Sequence, residues 1–252
     1  MMASHNAEPA QPLQHRDLWP GIAGLGAAGL LIAGYVLWWD TPDVSGSGAL
    51  RRVLFFYLKE SNRDASEATA FILLAAGLLF LFFLVALSRL AGNRSHLVLV
   101  GGTVFVAFLM VAALAGNIFA ITVNHTDVFP VLPGTSLIAI LLLNVAYGAV
   151  IAAMAGAAVM LFAVWRAAQD SHAIPAWLGW SGLVVAVLSL AGPFSAWLTP
   201  VLLAAWVLGA SVVLILNAIE SRREGQEGQK GKPEAPAGPP PPQAEGGGLG
   251  PP

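Results

Sequence analysis

Five stretches of this chain contain no Asp, Glu, Lys, Arg or His: 20–39, 68–88, 97–122, 136–165 and 176–219. A bilayer's hydrocarbon core is ~30 Å thick, so a spanning helix needs roughly 20 apolar residues. Each stretch meets that length. The fifth, as one helix at 1.5 Å per residue, would extend ~66 Å, over twice the core thickness. Gly192-Pro193 interrupts it near the middle and Pro200 follows. Proline has no N–H for the helical ladder and disfavours helix in the residue before it. The stretch therefore reads as two spans, 176–192 and 197–219. The expected fold is all-α: a polytopic membrane bundle of six transmembrane helices, with spans at about 20–39, 68–88, 97–122, 136–165, 176–192 and 197–219.

Composition agrees. Of 252 residues, 57% are hydrophobic and 10% charged, whereas a soluble globular chain carries about 25% charged residues. A chain this poor in charge cannot cover its surface in water. The net charge of −2 and the scatter of the basic residues exclude a nucleic-acid footprint. The absence of Cys removes thiolate metal sites, disulfides and thiol catalysis. A cleaved secretory signal has a shorter apolar run and a small-residue cleavage site. Asp40-Thr41-Pro42-Asp43 does not match one, so the first span is expected to be retained.

Six spans place both termini on one side. That side then holds Arg16, Arg89, Arg94, Arg166, Arg222, Arg223, Lys230 and Lys232. The other holds Arg51, Arg52, Lys59 and Arg63, all in the first loop. Cytoplasmic loops carry the Lys/Arg excess, so both ends are expected in the cytoplasm. The tryptophans sort the same way. Trp19, Trp165, Trp177 and Trp180 fall near the expected inner face, and Trp38, Trp39 and Trp197 near the outer one. Trp is an interfacial anchor because its ring is apolar while its N–H needs a partner. Trp206, within a span, reads as a packing residue.

Residues 1–19 and 220–252 read as disordered cytoplasmic tails. The second is rich in Gly, Pro, Gln and Glu, with a proline run from Pro239 to Pro242, and buries too little apolar surface to offset its ordering entropy. In the first loop, Leu50, Val53, Leu54, Tyr57 and Leu58 share one face at 100° per residue, opposite Arg51, Arg52, Lys59 and Glu60. This pattern predicts a short amphipathic helix, either a connector that hides its apolar face in lipid or on the bundle, or a lid. Asn124-His125-Thr126 and Asn93-Arg94-Ser95 fit the N-glycosylation pattern. His125 and Asp127 lack the further ligands a metal site needs, so no metal and no cofactor is expected.

Pumps and proton-coupled carriers place ionisable residues at membrane depth, and no span core contains one. The polar exceptions are Asn117 and Asn144, at similar depths in the third and fourth spans. Their side chains are expected to meet, directly or through one water, as structural glue or, with Tyr147, as a small polar pocket. Asn144, Gly148, Ala152 and Gly156 recur every four positions. Gly24 with Ala28, and Gly29 with Ala33, are small-xxx-small pairs. Such residues let helix backbones approach in lipid, within the chain or, through the first span, between two copies. One internal echo pairs Ser95-His96…Leu114-Ala115-Gly116 with Ser171-His172…Leu190-Ala191-Gly192 at equal spacing.

The segment from Phe56-Tyr57 through Arg89, and Ile174-Pro175-Ala176-Trp177-Leu178-Gly179-Trp180 at the start of the fifth span, resemble a family of uncharacterised six-span membrane proteins of the actinobacteria. The resemblance covers roughly residues 20–218. It implies a helical bundle in the bacterial cytoplasmic membrane and brings no reaction, ligand or functional residue with it.

The sequence contains neither HExxH nor GxSxG, the signatures of a zinc protease and a nucleophile turn. The chain accordingly reads as a non-enzymatic structural or interaction component, in contact with membrane lipid and with a protein partner or a second copy. A carrier or permease-like protein for a neutral or amphipathic solute is the alternative. An intramembrane enzyme would have to draw on Asp40, Asp43, Glu67 and Asp127 as an acidic cluster.

Overall fold

The computed structural model describes residues 18–126, 130–170, 174–192 and 197–230. Among these there is no strand. The helices are α1 (Trp19–Trp38), α2 (Ala49–Leu58), α3 (Glu60–Leu90), α4 (Ser95–His125), α5 (Pro133–Asp170), α6 (Ala176–Ser189) and α7 (Thr199–Lys230), with a 3-10 turn at Gly92–Arg94 between α3 and α4. Five are long and apolar enough to cross a membrane: α1, α3, α4 with its preceding turn, α5, and α7 as far as Glu220. The sixth apolar helix, α6, has 14 residues, ~21 Å at the standard rise.

Close approaches fix the helix directions. Gly24 lies against Phe83 and Gly34 against Leu73, so α3 runs back along α1. Gly77 meets Met110 and Gly102 meets Leu84, so α4 reverses again. Gly101 meets Met160 and Gly116 meets Ala146, which turns α5 against α4. Gly21 packs on Ile215, and the Tyr35 hydroxyl donates to the Trp197 carbonyl, so α7 runs against α1. α5 and α7 thus run the same way, and the start of α1 and the α7 end lie at one end of the bundle. α6 packs between α5 and α7.

The core is built of interlocking aromatic and small residues. The Phe80 ring meets Phe105 at 4.9 Å and Phe83 at 5.6 Å, both tilted, in one buried cluster with Ala27, Ala76 and Ala157. The outside carries large apolar side chains such as Phe71, Leu78, Phe82, Val100 and Leu141. The described charged residues sit at the two ends.

Several boundaries differ from the charge-free windows. α3 starts at Glu60, eight residues before the apolar run, because Glu60 to Glu67 continue the helical ladder into a polar setting. α7 continues to Lys230 rather than ending near residue 219, since no proline interrupts it before Pro233 and most of the added residues are good helix formers. Residues 1–17 and 231–252, with the Pro239 to Pro242 run, lie outside the described residues, as do Asp127 and the Ser171-His172 half of the internal echo.

α2 forms as expected, and its apolar face lies on the bundle rather than in lipid. Val53 and Tyr57 are fully buried against Phe119, Ala120, Ala139 and Leu143. The Tyr57 and Phe119 rings meet at 4.9 Å. Leu58, expected on the same face, is exposed, as is Phe55.

Candidate functional site

A cavity of about 80 Å³ lies between α1, α3, α4, α5 and α7. Its floor is Leu31, Leu73, Phe105, Leu109, Met154 and Leu203, all buried. Its mouth is the last turn of α1 (Tyr35, Trp38, Trp39) with Tyr147 and Trp197. Trp39 and Trp197 are 61% and 57% exposed and their rings lie 6.3 Å apart. Tyr35 meets Trp39 edge-on at 5.7 Å.

Of the three residues expected to form a polar pocket, the structure places only Tyr147 here. Asn117 is buried on α4 and donates to the Ala113 carbonyl at 2.8 Å. Asn144 is exposed on α5 and donates to the Ile140 carbonyl at 2.8 Å. Each amide bonds to the carbonyl four residues back on its own helix rather than to the other. That acceptor is within reach whatever the neighbouring helices do.

The small residues divide similarly. A Cβ on Gly156 would stand 2.6 Å from the Phe105 nitrogen, whereas Gly148 has nothing within 4 Å. Ala152 is half-buried. On α1, Gly24 and Ala28 are buried, while Gly29 and Ala33 face outward. Among the tryptophans, Trp19, Trp39, Trp177, Trp180 and Trp197 are exposed. Trp38 instead turns toward Gly116 and the cavity. Trp165 is half-buried against Trp180 at 5.8 Å, with Arg166 over its ring and its own N–H unpaired. Trp206 packs as expected, 5% exposed, and also donates to the Leu178 carbonyl of α6 at 3.0 Å.

A second constellation lies at the end opposite the α1 start. The Arg63 guanidinium donates to the Asn124 side-chain oxygen and to the Tyr57 carbonyl, both at 2.8 Å. The Asn124 amide donates to Glu67 at 3.1 Å and Asp64 at 3.2 Å. His125 meets Glu67 at 2.8 Å. These residues tie the α2 end, the α3 start and the α4 end together. Reading Arg63 only as a loop charge missed this. Its one sequence signal is position: four residues after Lys59, where it faces the last carbonyls of α2. Asp43 is engaged elsewhere, accepting from the Ser45 N–H at 2.8 Å and pairing with Arg52 at 3.7 Å. Asp43 and Glu67 thus have separate partners instead of forming one acidic cluster. Among the described residues no group of three or more His, Asp and Glu is arranged to hold a metal.

No family model matches the chain, and neither a curated protein nor a solved structure does.

Proposed function

We propose that this is a bacterial cytoplasmic-membrane protein that crosses the bilayer six times with both ends inside, and that it serves as a non-enzymatic structural or interaction component. The observation that carries the membrane part of this reading is the apolar belt on the outside of the bundle, with charge confined to its ends. The parallel course of α5 and α7 supports six crossings: the chain must return between them, and α6 is the helix available. At ~21 Å it is short for a ~30 Å core, a mismatch that bilayer thinning accommodates. The Lys/Arg distribution supports the orientation.

The absence of Cys makes the test clean. Ser47 and Asn93 are exposed at opposite ends. With Ser47→Cys, a membrane-impermeant maleimide should label intact cells; with Asn93→Cys, it should label only after lysis. The reverse pattern would overturn the orientation, and release of the chain by carbonate wash would overturn the membrane reading.

The cavity favours a second reading, a carrier or binder for an amphipathic solute, because it opens among interfacial aromatics and reaches the middle of the bundle.

A further inference from the structure

We infer that the cavity between α1, α3, α4, α5 and α7 is a binding site for the hydrocarbon end of one phospholipid acyl chain, entered from the end lined by Tyr35, Trp39, Tyr147 and Trp197. The inference rests on the membrane reading and adds a ligand class to it.

Three observations carry it. The floor is apolar throughout (Leu31, Leu73, Phe105, Leu109, Met154 and Leu203) and offers nothing to orient a polar group. Hydrocarbon is then the matching occupant, and in a bilayer acyl chains are its most abundant source. Size narrows the class. At about 80 Å³, the space is roughly half that of an engineered cavity of about 150 Å³ that takes benzene. It admits the slender end of one chain and excludes fused rings, a whole lipid or a partner's helix. Shape and placement agree. From Trp39 to Leu31 is eight residues of α1, about 12 Å along the axis. The exposed end of that path carries Tyr35, Trp39 and Trp197, side chains whose amphipathic rings suit the headgroup level. A chain passing these aromatics places its last few carbons against the floor, as much hydrocarbon as about 80 Å³ holds.

The test uses the full chain in vesicles of phosphatidylcholine and phosphatidylglycerol, the latter carrying a diazirine at the tip of one chain. Irradiation followed by peptide mapping should place adducts on floor residues such as Leu109 and Met154. Unlabelled phosphatidylglycerol should compete for them and cholesterol should not. Ala153→Phe and Ala112→Leu each fill the cavity, and either should lower floor labelling about tenfold, the change that 1.4 kcal/mol of lost affinity produces. Gly148→Ala, on an open face of α5, should leave it unchanged. If a filling variant fails to fold, the competition pattern on the parent chain still decides. Adducts spread over the outward residues Phe71, Leu78 and Phe82, with none at the floor, would overturn the proposal, as would floor labelling that cholesterol displaces equally. Failure of the membrane reading is seen separately, as release of the chain by carbonate wash before any irradiation.

Discussion

Gly101 of α4 and Gly156 of α5 lie back to back. A Cβ on Gly101 would stand 2.5 Å from the Met160 nitrogen and 2.9 Å from the Gly156 carbonyl oxygen, and one on Gly156 2.9 Å from the Gly101 carbonyl oxygen. The obstacles are backbone atoms on both sides, so no rotamer change relieves them. In lipid, helices hold together by close packing more than by a hydrophobic drive, and this pair forms the broadest helix contact of the bundle. Gly156→Ala is therefore expected to destabilise the detergent-solubilised protein by about 1–3 kcal/mol, the usual range for overpacking. Gly148→Ala, eight residues earlier on the same helix, should be near neutral. Thermal melts of the two variants side by side make the check.

Arg63 is expected to control the docking of α2. Its guanidinium spans two acceptors on different elements, the Tyr57 carbonyl and Asn124. Lysine presents a point charge without that fork. Arg63→Lys should therefore behave closer to Arg63→Ala than to the parent. The loss is about 1.5–3 kcal/mol, the range for hydrogen bonds that involve a charged group. Faster amide exchange confined to α2 and the first turns of α3 is the readout, and exchange unchanged in Arg63→Ala would contradict this role.

The loop before α2 carries a pH dependence of defined sign. Hydrogen bonds from the Ser45 N–H and hydroxyl, with Arg52 nearby, hold the Asp43 carboxyl below its ordinary value of 3.8. A carboxylate whose folded pKa is depressed stabilises above its unfolded pKa and loses that contribution as pH falls through the folded one. Protection of the Ser45 amide should therefore be constant above the ordinary carboxylate range and decline below it. In Asp43→Asn the same titration should be flat.

The centres of the long helices were legible because lipid excludes charge, and a charge-free window marks the hydrocarbon. Their ends were not, because the hydrogen-bond ladder does not stop where the lipid does. Glu60 to Glu67 are polar and helical for that reason. The small-residue stripe of α5 was legible only in part. Residues four apart advance 400° at 100° per residue, so each step drifts about 40° around the helix. From Asn144 to Gly156 the stripe turns through about 120°, from the outer surface to the α4 seam. The same geometry puts Gly24 and Ala28 inside and Gly29 and Ala33 outside. The cavity was the least visible feature. Its lining comes from five helices, with Leu31 and Leu203 at opposite ends of the sequence, and the residues concerned look like ordinary span residues. Trp38, Trp39 and Trp197 stand out in the sequence only as anchors, and Tyr147 only for a polar role beside two asparagines that do not reach the cavity.

Trp206 separates packing from hydrogen bonding at α6. It is buried between α6 and α7, and its N–H reaches the Leu178 carbonyl in the first turn of α6. Its indole also stands 3.1 Å from where a Cβ on Gly182 would lie, so the ring fills the space that this glycine leaves. Trp206→Phe keeps most of the ring and removes the donor. Interhelical polar contacts in membrane proteins average about 0.6 kcal/mol, and that is the expected loss. Trp206→Ala removes the volume as well and should cost about 3–5 kcal/mol, the range for truncating a buried aromatic. α6 has only 14 residues and is held on both sides by longer helices, so it is the helix expected to loosen first. Amide exchange in residues 176–189 should rise in Trp206→Ala before exchange rises in α4 or α5. A uniform rise across all helices would mean that α6 and the rest of the bundle unfold as one unit.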